Sequence, residues 1–230
     1  MSTRLIVDNQ NELQELRTPD FPAQPSIIRF AATIISYLFH PLFIPVYLAS
    51  FLVMLQPHLF ASFTPTQKIL TILRFFVIYS FFPLVTVLLI KALGFLQSIY
   101  LRTQKERIIP YIACGIYYFW MWYVLRNQPE FSKEIVMLSM AVWIASSIGL
   151  MANIYMKVSM HALSMGVMLT FILLLALHQG SGFGIYLSAA FLVTGLVCTA
   201  RFIVSDHTQW EVYGGLILGM LSQLIAYWAV

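Results

Sequence analysis

From Ile69 to Trp228 the chain is a succession of apolar runs joined by short polar segments. The runs are Ile69–Leu93, Pro110–Leu125, Ile135–Ile154, Met160–Leu177, Ile185–Ala200 and Val212–Trp228. In hydrocarbon every backbone N–H and C=O must be paired within the protein, so runs of this length fold as helices. An earlier segment, Ile27–Leu55, is also apolar but is interrupted by His40-Pro41 and Pro45. At about 1.5 Å per residue it exceeds the ~30 Å hydrocarbon layer. It fits a kinked, tilted span, or a surface helix followed by a span. The expected fold is an all-α integral membrane protein, a bundle of six or seven transmembrane helices. Residues 1–26 read as a polar N-terminal tail, with a short surface helix across NELQELR, and residues 27–230 as a single helical domain.

Composition agrees with that solvent. Apolar residues make up 60% of the chain and charged ones 10%, against about a quarter charged in soluble domains. A net charge of +4, scattered along the chain, leaves no footprint for nucleic acid. Cys114 and Cys198 lie inside apolar runs, where core packing is their expected role, and neither has metal-ligand spacing. Residues 1–25 lack a signal-peptide pattern, so the spans themselves are expected to direct insertion. Outside the polar cluster described next, Arg4, Arg17, Arg29 and Lys91 on one face balance Lys68, Arg74, Arg126 and Lys133 on the other. Charge bias therefore assigns no orientation. The expected location is a bacterial inner membrane, with either side open to the site.

Counting spans sorts the polar segments. Two spans separate LRTQKERIIP from MKVSMH, and two more separate MKVSMH from ARFIVSDHTQWE, so all three emerge on one face. Together they carry Arg102, Lys105, Arg107, Lys157, Ser159, His161, Arg201, His207 and Glu211. RNQPEFSKE, QGSGFG and the Gln56–Lys68 loop on the opposite face offer no comparable set. His207 and Glu211 are four residues apart, a spacing that places them on one side of a helix mouth. A carboxylate behind an imidazole sets its tautomer and supports positive charge on it. Arg201 can make the forked contacts that phosphate oxygens favour. The pattern points to a histidine handling phosphate at a membrane surface.

Each residue also has a structural reading. Thr208-Gln-Trp-Glu211 is a capping box for the last helix, compatible with a role behind His207. Arg201 can snorkel from the end of its span, and Lys105 and Arg107 can act as topology determinants. Asp206 suits an N-cap as well as a role beside His207. His40, His58 and His178 read as structural. Haem ligation needs paired histidines at matched depths, and transport needs ionisable groups near mid-membrane. The chain offers neither.

At this point the sequence resembles the type 2 phosphatidic acid phosphatase superfamily. Its third motif, Ser-Arg, five residues, His, three residues, Asp, is similar to ARFIVSDHTQWE. Arg201 and His207 are in register, with Ala200 and Glu211 in place of Ser and Asp. Its Pro-Ser-Gly-His motif is similar to Val158-Ser159-Met160-His161. Its first motif, Lys, six residues, Arg-Pro, is degenerate: aligned on Pro110, Arg102 stands for Lys and Ile109 for Arg, with Lys105 and Arg107 nearby. The resemblance covers Leu101 to the C-terminus. It implies a lipid phosphatase in which His207 forms a phosphohistidine, Glu211 orients it and His161 transfers protons. Arg201, Ser159, Lys105, Arg107, Arg102 and Lys157 would hold the phosphate oxygens. It implies no metal and no cofactor, and a membrane lipid carrying phosphate or diphosphate as the partner. The alternative is a non-catalytic member of the same fold that binds a lipid phosphate or a protein.

Overall fold

The computed structural model describes residues 3–7, 13–17, 24–96, 98–99, 101, 103–179, 182–204 and 207–230. Two strands, β1 (Thr3–Val7) and β2 (Leu13–Arg17), precede the helices. These are α1 (Ser26–Leu38), α2 (Ile44–Leu55), α3 (Pro65–Phe76), α4 (Phe82–Ala92), α5 (Gln104–Arg126), α6 (Lys133–Tyr155), α7 (Met160–Gln179), α8 (Gly184–Val204) and α9 (Gln209–Ala229). The protein is an all-α membrane bundle apart from the terminal strand pair. Among the described residues six helices are long and apolar enough to cross a membrane: Pro65–Ala92, which joins α3 to α4, and then α5 to α9.

The join within Pro65–Ala92 is a π turn over Val77–Phe81, just ahead of Pro83. Proline has no N–H to give the carbonyl four residues back, and a widened turn relieves its ring. That carbonyl belongs to Tyr79, and it accepts instead from the Tyr118 hydroxyl of α5 at 3.4 Å.

Two expectations are corrected. The Ile27–Leu55 segment is neither one kinked span nor a surface helix with a span behind it. It is two helices of 13 and 12 residues, each about 20 Å or less and so short of the ~30 Å layer. Pro41 and Pro45 deny N–H donors where a continuous helix needs them, and the chain turns over Phe39–Phe43. The second correction concerns NELQELR, read as a surface helix. Leu13–Arg17 is a strand, paired antiparallel with Thr3–Val7 in the register Leu5↔Glu15. So short a helix is marginal in water, whereas β-branched Ile6 and Val7 suit a strand.

The bundle is apolar on its outer surface as well as in its core. Large apolar side chains such as Leu89, Ile116 and Leu192 face outward, as hydrocarbon contact requires. The main core draws on α2, α3 and α5 to α9. In it the Trp122 and Trp143 rings stack at 5.2 Å.

The contact that matters most for the site is between α7 and α9. Ser159 and Leu163 lie opposite Gly215 and Gly219, so the two helices run side by side in the same direction, both starting at one end of the bundle. A Cβ on Gly215 would stand 2.8 Å from the Ser159 carbonyl oxygen. A methyl on Gly219 would collide with the Leu163 backbone, and one on Gly166 with the Leu216 carbonyl. The small-xxx-small spacing of Gly215 and Gly219 is therefore a close backbone approach. Gly195, by contrast, faces open space. Gly219→Ala is expected to cost about 1–3 kcal/mol by overpacking, visible as a lowered unfolding temperature in detergent. Gly195→Ala should leave it unchanged or slightly raised, and equal behaviour of the two variants would refute the close contact.

Candidate functional site

The polar segments that span-counting put on one face do converge. Reciprocal hydrogen bonds between Gln104 and Asn153, at 3.0 and 2.8 Å, clamp the start of α5 to the end of α6. The Ser159 N–H donates to the Glu211 carbonyl at 3.0 Å, tying the approach to α7 onto α9. α5, α7 and α9 all begin at this end, so three helix N-termini, each with partial positive charge, gather there.

At the centre is His207, 8% exposed. Its Nδ1 lies 3.0 Å from Glu211 Oε2. A carboxylate accepts, so Nδ1 carries the proton and the Nε2 lone pair is left over. Nε2 has no hydrogen-bond partner among the described residues. The same Glu211 oxygen accepts from the Thr208 N–H at 2.9 Å, while the Thr208 hydroxyl accepts from the Glu211 N–H at 3.2 Å. Glu211 thus closes the capping box and holds the imidazole at once.

The cations differ in how they are held. Arg107, buried on α5, donates Nε to the Leu101 carbonyl at 3.0 Å and Nη1 to the Val158 carbonyl at 2.7 Å. Leu101 sits at φ 48°, a left-handed conformation that costs a side-chain-bearing residue energy. The guanidinium anchors its carbonyl. Arg107 is still close enough to His207 to act on it electrostatically, as is Arg201. Lys157 is buried and acts on the Glu211 carboxylate. Ser159 is wholly buried; its hydroxyl oxygen accepts the Ala162 N–H at 3.4 Å, at the start of α7, and keeps its own proton to donate.

Lys105 does not join this group. It is exposed, as is Ile109, and two residues on a helix are about 200° apart, so burying Arg107 turns Lys105 away. Arg102 and Asp206 lie outside the described residues.

His161 brings in a component the sequence did not reveal. Its Nε2 is 3.0 Å from the Ser36 carbonyl of α1, which can only accept, so this nitrogen bears the hydrogen. Arg201 Nη1 donates to the Ser36 hydroxyl at 3.4 Å. The His40 ring, read above as structural, stands edge-to-face with His161 at 5.3 Å between centroids. The only trace of this in the sequence is an ionisable residue at a proline break in an apolar run. His58 and His178 stay apart: His58 lies in the 3₁₀ turn Pro57–Phe60, and His178 pairs with Tyr227 at 3.4 Å near the ends of α7 and α9. Among the described residues no three His, Cys, Asp or Glu side chains converge as metal ligands do.

Burial lowers the pKa of the His207 ring to about 4. The Glu211 hydrogen bond opposes the shift, and the Arg107 and Arg201 charges add to it. His40 is likewise lowered to about 4, by burial and then by Arg201. Both rings are neutral at pH 7.

No protein-family model, curated protein or solved structure matches the chain.

An unfolded chain protonates histidine below about 6.5, but these two rings resist protonation until about 4. The folded state should therefore lose stability as pH falls from the higher value towards the lower. Ring nitrogen shifts of ¹⁵N-histidine-labelled protein should show His207 neutral at pH 5.5. A His207 midpoint near 6.5 would contradict its desolvation.

Proposed function

We propose that this chain is a membrane phosphatase that hydrolyses a lipid phosphomonoester or diphosphate through a phosphohistidine on His207, without a metal. What supports the reading above all is the His207–Glu211 pair, with Nδ1–H engaged, Nε2 open and guanidinium groups beside it.

The Nε2 lone pair attacks phosphorus and the bond from phosphorus to the lipid oxygen breaks. The lipid oxygen takes its proton from His161. Because the His161 Nε2–H is engaged by Ser36, Nδ1 relays that proton, taking it from the singly protonated phosphate of the substrate and passing it to the lipid oxygen. Water then attacks the phosphohistidine, giving a proton through Nδ1 to the phosphate that leaves as the P–N bond breaks. Glu211 stabilises the charge that develops on His207. Arg201, Lys157, Ser159 and Arg107 oppose charge on the phosphoryl oxygens. The lipid tail stays in hydrocarbon while its phosphate meets the site at the bilayer surface, in a setting such as a bacterial inner membrane.

One observation favours a second reading. Arg107 spends two donors on backbone carbonyls, and Ile109 stands exposed where the resembled family has arginine. A site with a reduced clamp could bind a lipid phosphate without turning it over.

Phosphate release by the purified protein, with chelator and a panel of lipid mono- and diphosphates, separates the two. Wild type should release phosphate from at least one lipid. His207→Ala should fall to the blank and Glu211→Gln should lose at least about 100-fold, as expected for a wrong tautomer. Turnover retained in folded His207→Ala would sink the phosphohistidine.

A further inference from the structure

Three histidines meet at this site, and the proposed chemistry uses two. His40 is the third. It sits in the turn between α1 and α2, on a stretch too short to cross the membrane, and it reaches the site because α1 packs along α8. Two contacts of Ser36, the carbonyl with His161 and the hydroxyl with Arg201, hold the end of α1 against the two residues that flank His207.

The His40 tautomer is set locally. Its Nδ1 lies 3.3 Å from the Leu42 N–H and can only accept from it. The ring is neutral at ordinary pH, so its one proton sits on Nε2. That N–H has no acceptor among the described residues. It belongs to a ring 5.3 Å from His161 and close enough to Arg201 to feel its charge. The ring is only partly buried, so this donor is open to a ligand. Its partner must be an acceptor, and the neighbouring cations favour an anionic one.

We infer that His40 is a phosphate-contacting residue of this site, its Nε2–H donating to a phosphoryl oxygen held by Arg201. The α1–α2 turn is thereby a wall of the binding pocket rather than packing beside it. His40 supplies a neutral donor in a site where Ile109 faces outward and Arg107 is partly committed to the backbone. The inference rests on the phosphate-binding part of the proposed function and not on the phosphohistidine.

The test is inorganic phosphate binding by the full-length protein in detergent, read as the rise in unfolding temperature along a phosphate titration. Wild type, His40→Ala and His40→Gln are compared, since glutamine can place an amide N–H near the former Nε2. His40→Ala should weaken phosphate about 10–100-fold, as expected for losing a hydrogen bond to a charged group. His40→Gln should recover most of that loss. The unliganded unfolding temperature of each variant shows whether it is folded. Phosphate binding to folded His40→Ala within twofold of wild type overturns the inference, as does a wild type that phosphate does not stabilise. Equal loss in the alanine and glutamine variants also overturns it, because packing and not the donor would then be responsible. His40-dependent phosphate binding in a protein that releases no phosphate from any lipid would uphold this inference while defeating the catalytic reading.

Discussion

The approach of α7 to α9 is the constraint on which the rest of the site depends. His161 and Ser159 belong to one helix start and His207 and Glu211 to the other, with a whole span, α8, between them in the chain. Glycine at 166, 215 and 219 lets the two backbones touch, and the Ser159–Glu211 backbone bond locks their starting ends level. Two helices with side chains at those positions would stand further apart, and His161 and His207 with them. Packing of small residues deep in the membrane thus sets a distance between polar groups at its surface.

The second physical theme is economy in the use of polar groups. Buried donors and acceptors are seldom left unmet, and several residues of the site meet two needs at once. Glu211 caps α9 and orients His207 through a single oxygen. Ser36 engages His161 by its carbonyl and Arg201 by its hydroxyl. Arg107 ties the Leu101 turn to the α6–α7 link and still adds positive potential at His207. Burial and the neighbouring Arg107 and Arg201 charges keep the His207 ring neutral, against the pull of the Glu211 hydrogen bond.

Much of this was legible beforehand for identifiable reasons. Backbone pairing in hydrocarbon forces long apolar runs into helices, so the six long spans could be read directly, and alternation of spans put three polar segments on one face. The register of His207 and Glu211 is local, a helix start plus one turn, and so was readable too. Lys105 and Arg107 could not be told apart because both lie in one basic cluster; only the side of α5 that packs inward separates them. NELQELR reads as a helix on too short a pattern, and pairing with the strand just before it outweighs that pattern.

His40 and Ser36 mark the boundary most clearly. Residue types and spacing along one chain settle which segments are helical, where they end and which ends share a face, because those are matters of local hydrogen bonding and solvent. Where α1 lies against α8, and so whether His40 faces hydrocarbon or the site, depends on packing between residues as distant in the chain as Ser36 and Arg201, 165 apart. No local pattern carries that information; it arises only when all the helices compete for the same interior.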